Sequence, residues 1–212
     1  MSAARSGLPA GTIVRGQRDE PDPGATSSSG RPMRADAQRN FDAIVSAART
    51  MFAREGGQVS LDAVAKEAGV GAGTLYRHFP QRIDLVEAVY QEDVDGLTEA
   101  ADRVERELGP WPAMEEWLEA FVRYATTKRS LLNELHEAFE KNPALRSVCR
   151  EKIETSVSRV LQRAQAAGVA RNDLSGPDLM QLLSSMCMSA TLTTDQCDRL
   201  MVMIKDGLRQ PV

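Results

Sequence analysis

Apolar residues recur along this chain at the spacing of one helix face, not in the alternation of a strand. Phe41, Ile44, Val45, Ala48 and Phe52 fall at i, i+3, i+4, i+7 and i+11, which predicts a first helix stopped by Gly56 and Gly57. Ser60 is an N-cap for a second helix with Leu61, Val64, Ala65 and Ala68 on one face, and Gly69 ends it as a left-handed residue. A third helix must begin almost at once, because Leu75 and Phe79 already stand at i and i+4, and Pro80 limits it.

The same grammar predicts six more helices. A long fourth helix starts near Gln81, carries Leu85, Val89, Val94, Leu97, Ala101 and Val104, has Gly96 as a weak point and is ended by Pro110 and Pro112. A fifth runs through Met114, Trp117, Leu118, Phe121 and Ala125, and a sixth, capped by Ser130, through Leu131, Leu135 and Phe139. Asn142-Pro143 opens a seventh with Leu145, Val148, Cys149, Val157 and Leu161, closed by Gly168. Ser175 opens an eighth with Leu179, Leu182, Leu183, Met186, Cys187 and Ala190, and Thr194 caps a ninth with Cys197, Leu200, Met201, Ile204 and Leu208. With no period-two segment and no internal repeat, the fold class is all-α. Residues 1–32, rich in Gly, Ser, Pro and Arg, read as a disordered tail, either inert or an arm whose arginines touch DNA.

The second and third helices are joined at helix-turn-helix spacing, in which the second helix lies in the major groove of DNA. The run GVGAGTLYRHF, residues 69–79, fits that use. Gly71, Ala72 and Gly73 keep side chains short where the backbone approaches the groove wall, and free N–H groups at a helix start suit phosphate oxygens. Thr74 and Tyr76 offer hydroxyls to phosphates, and Arg77, one turn along, reaches a base edge or a phosphate. A glycine turn between two helices also occurs where no DNA is bound.

Charge changes the picture little. The net charge is −4, but residues 31–90 hold eight basic and seven acidic side chains, against fifteen and twenty in residues 91–212. Three widely spaced cysteines, Cys149, Cys187 and Cys197, argue against a disulfide scaffold and fit a reducing cytosol. No apolar run approaches a membrane span and no apolar h-region opens the chain, so a cytoplasmic protein without a membrane partner is expected. The two histidines, His78 and His136, lack metal spacing, and no P-loop, GxSxG or GxGxxG is present, so no enzyme, metal or cofactor is expected.

The stretch SLDAVAKEAGVGAGTLYRHFPQRIDLVEAVY, residues 60–90, preceded by FDAIVSAARTMFAREG, residues 41–56, resembles the DNA-binding signature of the TetR family of one-component transcriptional regulators. The resemblance implies that Thr74, Tyr76 and Arg82 hold phosphates, that Ala72, Gly73 and Arg77 face the bases, and that His78 lies near the DNA backbone. It departs from the family pattern at Gly71, often Ser, at Gln81, often Ser or Asn, and at Arg82, usually Lys. The first two departures weaken helix caps. With Ala72 and Gly73 nearly bare, DNA shape and methyl contacts are expected to supply part of the specificity.

The resemblance further implies an N-terminal DNA-binding domain, residues 33–80, joined to a helical domain, 81–212, that binds a small organic effector and dimerises. A single helix-turn-helix makes few base contacts, so a homodimer on a palindromic double-stranded operator is expected. The stripes of the last two helices, Leu179, Leu183, Met186, Leu200, Met201, Ile204 and Leu208, would pair into a four-helix interface, or pack only within one subunit. Trp117, Phe121, Tyr124, His136 and Phe139 suit an effector pocket; they also suit an ordinary core. The function expected is a repressor released by its effector, with a transcriptional activator and a thiol-based redox regulator using the cysteines as alternatives. On these readings Tyr76→Phe and Arg82→Ala weaken binding to all sequences, the latter with a shallower salt slope.

Overall fold

The computed structural model describes residues 30–55, 58–189 and 191–210. Nine helices fill them: α1 Gly30–Glu55, α2 Leu61–Glu67, α3 Ala72–His78, α4 Arg82–Glu107, α5 Pro110–Ser130, α6 Leu132–Lys141, α7 Pro143–Ala166, α8 Gly176–Cys187 and α9 Thr194–Leu208. Among the described residues the sole β pairing is an isolated antiparallel bridge between Ala170 and Arg209, which ties the α7–α8 loop to the end of α9.

The apolar faces read from the period are the ones that pack. Ile44, Val45, Ala48 and Phe52 of α1 close over Val64 and Ala65 of α2 and Leu75 of α3. The long α4 then leaves this three-helix unit and packs on α1, α5, α6 and α7. Its buried positions, Leu85, Val86, Val89, Val94, Leu97, Ala101 and Val104, therefore serve both ends of the molecule. The bulkiest fully buried side chain of the second unit is Trp117, beside Phe121 with ring centroids 5.8 Å apart.

Local rules explain where the helices start. The Ser60 hydroxyl accepts from the Ala63 N–H at 3.2 Å, and Asn142 Oδ1 accepts from the Leu145 N–H at 3.2 Å. At Gln81, which lacks a short capping side chain, the Asp84 carboxylate accepts the Gln81 N–H at 2.8 Å and supplies the missing half of the cap. Ser175 and Asp178 exchange hydrogen bonds at the start of α8. There α8 comes so close to α7 that a Cβ on Gly176 would stand 2.8 Å from Ser158 Cα.

Several expected boundaries shift. Residues 1–29, most of the expected tail, and Gly56 and Gly57, the expected stop, lie outside the described residues. From Gly30 onward the backbone is helical, so α1 takes in the last three residues of the expected tail, with Pro32 in the first turn, where an N–H has no partner to lose. α4 stops at Glu107, just before Pro110 and Pro112, which stand in the first turn of α5, where the same logic favours them. Ser130 caps nothing, for it is the last residue of α5 and its hydroxyl donates to the Thr127 carbonyl at 2.7 Å. Thr193, not Thr194, caps α9, accepting from the Gln196 N–H at 3.3 Å. Val148, expected on the inner face of α7, is 50% exposed, because Leu145, Cys149 and Ile153 define that face one step around the helix. Ala190 lies outside the described residues, α8 having ended at Cys187.

Candidate nucleic-acid interface and effector cavity

Two helices and a turn build the first site. Ala68 closes α2; Gly69 has φ 67°, the Gly69 N–H donates to Lys66 O at 3.2 Å and the Val70 N–H to Ala65 O at 3.0 Å. That pair of bonds is the Schellman arrangement, and it needs a residue that tolerates positive φ. It reverses the chain so that α3 starts three residues later, at Ala72. Leu75 and Phe79 anchor α3 from below, at 0% and 3% exposure.

The opposite face of α3 is open. Gly71, Ala72, Gly73, Tyr76 and Arg77 are exposed and Thr74 is half-buried. The Tyr76 hydroxyl lies 3.4 Å from Asp62 Oδ1 of α2, which orients the ring without burying it. His78 is also half-buried, its ring 6.1 Å from Phe41 of α1 in an edge-to-face arrangement. Its ring thus helps to pack the unit itself.

Arg82 has partners within the chain that its spacing does not foretell. Its guanidinium donates to the Val59 carbonyl, pairs with Glu134 of α6 at 3.4 Å and stacks 5.1 Å from the Phe52 ring centroid. In this arrangement it fastens the helix-turn-helix unit to α6, where the resemblance implied a phosphate contact. These partners lie 23 and 52 positions away in sequence, beyond the reach of any local pattern.

A second site lies among α4, α5, α6, α7 and α8, as a cavity of about 430 Å³. Of the five residues expected at an effector pocket, His136 and Phe139 line it. Trp117, Phe121 and Tyr124 do not; at 0%, 1% and 5% exposure they belong to the core behind it, Tyr124 also lining the cleft between α1, α4 and α5. The walls include residues that the sequence reading left out, among them Tyr90, Lys128, Arg146 and Ser184. The Tyr124–Lys128 spacing, i to i+4, was the one local hint, since it stacks an ammonium over a ring.

A more polar cleft opens between α1, α4 and α5, where Asp93 meets Arg49 at 3.4 Å. Burial outweighs that arginine and pushes the Asp93 carboxyl up to about 6. Because the folded value lies above the 3.8 of a free carboxyl, the folded chain holds an extra proton between the two. Stability from this group is complete below pH 4 and is lost as pH rises through 6. Asp93→Asn, which mimics the protonated form, is expected to stabilise the protein at pH 7 by roughly 3 kcal/mol and to have no effect at pH 4. Denaturant melts at the two pH values check this; equal gains at both would mean that ionisation is not the cause.

The cysteines lie inside. Cys149, Cys187 and Cys197 are all buried and unpaired. Burial and the neighbouring Cys197 push the Cys187 thiol up to about 12, and burial raises Cys149, which suppresses the reactive thiolates that a redox regulator needs.

The stripe expected at a subunit interface divides in two. Leu179, Leu183, Met201 and Leu208 are buried within the chain itself. Leu182, Leu200 and Met203 face outward, with Met186 and Ile204 half-buried beside them along an apolar groove. Among the described residues no helix is long and apolar enough to cross a membrane.

Known proteins share both halves. Residues 44–89 match the family described as bacterial regulatory proteins, tetR family, and residues 109–210 match the C-terminal domain described as transcriptional regulator SbtR-like. A TetR transcriptional regulator from Streptomyces coelicolor is 32% identical, with a TM-score of 0.72 over 81% of this chain and 99% of that one. A TetR transcription regulatory protein from Mycobacterium vanbaalenii is also 32% identical, with a TM-score of 0.68 over 84% and 99%. An HTH-type transcriptional regulator from Staphylococcus aureus (strain USA300) is 45% identical over 64 residues, 30% of this chain and 35% of that one. The chain thus spans about a third of the length of the curated relatives it matches.

Proposed function

This chain belongs to the TetR family of transcriptional regulators, and from that premise we propose that it is a dimeric repressor, released from a palindromic operator by a small organic effector. The observation behind the reading is the division of α3, with Leu75 and Phe79 locked below and Gly71 to Gly73, Tyr76 and Arg77 open above. A helix held rigidly by one face and left bare on the other suits insertion into a major groove. Thr74 and Tyr76 set the register on phosphates, Arg77 reads or steadies a base step, and His78 supports the α1–α3 packing.

Residues 33–80 form the DNA-binding domain in this reading and 81–212 the effector and dimerisation domain. The outward residues of α8 and α9, Leu182, Met186, Leu200, Met203 and Ile204, meet their copies in the second subunit. The effector occupies the cavity that His136 and Phe139 line. The helix α6 joins the two functions, since Leu135 and Phe139 line that cavity while Glu134 holds Arg82. An effector that prefers one position of α6 thereby changes the hold on the helix-turn-helix unit, and the two recognition helices leave their spacing of about 34 Å. Such a regulator works in the cytoplasm, where the chromosome is.

Selection of the purified protein against random duplex DNA, followed by salt titration of the winners, tests the reading. An enriched palindrome with a steep salt slope is expected. Failure to enrich any duplex, with or without metabolite extract, would overturn it.

A further inference from the structure

We propose that the cavity among α4, α5, α6, α7 and α8 takes a small organic acid, its carboxylate seated between Lys128 and Arg146 and its apolar body against Phe139 and Met180. This inference rests on the effector reading above and names the chemistry of the same site.

Three features of the wall lead there. The first is the lone ammonium. Lys128 Nζ lies 5.6 Å from the ring centroids of both Tyr90 and Tyr124, and among the described residues it has no carboxylate partner. A desolvated ammonium held over two rings is stabilised by their electron-rich faces but not neutralised. Burial, with Arg146 and Arg150 nearby, accordingly lowers its pKa.

The second is the sign of the lining. Lys128, Arg146 and Arg150 line the cavity and no Asp or Glu does. Glu154 neutralises Arg150 at 2.7 Å from outside the lining, which leaves Lys128 and Arg146 as the unmatched pair. An entering carboxylate relieves their mutual repulsion and gains a charge-assisted hydrogen bond from each, that from Lys128 largely shielded from bulk water. An entering cation adds a third like charge.

The third is the rest of the surface. Phe139 stands edge-on to Tyr90 with centroids 5.4 Å apart, and Leu135, Ile153 and Met180 continue an apolar wall. About 430 Å³ admits a bicyclic or medium-chain body with one polar end.

Isothermal titration calorimetry of the whole protein with 2-naphthoate and octanoate, each against its neutral amide, tests the proposal. At least one acid is expected to bind at least tenfold more tightly than its amide. Lys128→Gln should erase that preference and Lys128→Arg should keep it. Should Lys128→Gln not fold by circular dichroism, Arg146→Gln, at an exposed position on the cavity rim, should still reduce acid binding severalfold. Amides binding as well as acids, no binding of either acid, or an undiminished acid preference in the variants would overturn it. Displacement of operator DNA is scored separately: an acid that binds without releasing DNA counts against the effector reading alone, and release by an amide but by neither acid counts against the organic-acid assignment alone.

Discussion

Gly73→Glu is expected to lower affinity for duplex DNA at least a hundredfold while leaving the fold intact. The residue sits in the first turn of α3, exposed, with nothing within 4 Å of where a Cβ would stand. A side chain there disturbs no neighbour, and glutamate has a better helix propensity than glycine by roughly 0.5 kcal/mol or more. What it does disturb is the approach of the backbone to a polyanion. A carboxylate placed between the helix and the groove wall must be desolvated among phosphates, and a hundredfold loss needs only about 2.7 kcal/mol. Fluorescence anisotropy on the selected operator, beside a thermal melt, separates the two effects. Wild-type affinity in this variant would mean that α3 does not enter the groove. Tyr76→Phe and Arg77→Ala should lose less, since each removes one contact and leaves the approach open.

The largest effect on stability is expected from Trp117→Ala. The ring is 0% exposed and lies at the centre of the larger helical unit, against Phe121. Truncation leaves a void that surrounding helices fill only in part, at a cost of about 3–5 kcal/mol, or roughly 10–15 °C in melting temperature for a chain of this size. Trp117→Phe should cost far less than that. Among the described residues the buried indole Nε1 has no hydrogen-bond partner, so phenylalanine loses volume but no polar contact. Differential scanning calorimetry of both variants decides the matter. Near-equal melting of Trp117→Ala and wild type would remove Trp117 from the core and reopen its assignment to the effector cavity.

That choice between core and cavity marks the limit of what the residues alone could tell. Trp117, Phe121, Tyr124 and Phe139 are all large, aromatic and helically spaced, yet only Phe139 among them lines the cavity, because lining depends on where α6, α7 and α8 come to rest. The helix-turn-helix unit was legible for the opposite reason. Its constraints are local: a hydroxyl before Leu61, a positive φ at Gly69, and two anchors four residues apart at Leu75 and Phe79. Pro110 was ambiguous because proline suits the position after one helix as well as the first turn of the next. The partners of Arg82 in space, Val59 and Glu134, are ones that no spacing rule brings to it. On α8 the apolar stripe is wide enough to face two ways, so Leu183 inside and Leu182 outside looked alike in sequence.

The close approach of Gly176 to Ser158 gives α8 unequal freedom along its length. With backbone nearly against backbone at its first residue, the helix has no room to slide or lift there. Its later residues meet the cavity through Ser184 and, just past its end, Met188, and they meet the exterior through Leu182 and Met186. Gly176 is thus the point at which α8 is held most closely, and any tilt of the helix would pivot there. Over a length of about 18 Å, a swing of about five degrees carries the free edge some 1.5 Å while the hinge stays still. On the proposed reading, filling the cavity would re-aim the outward face in the same motion, and any larger residue at position 176 would push α7 and α8 apart.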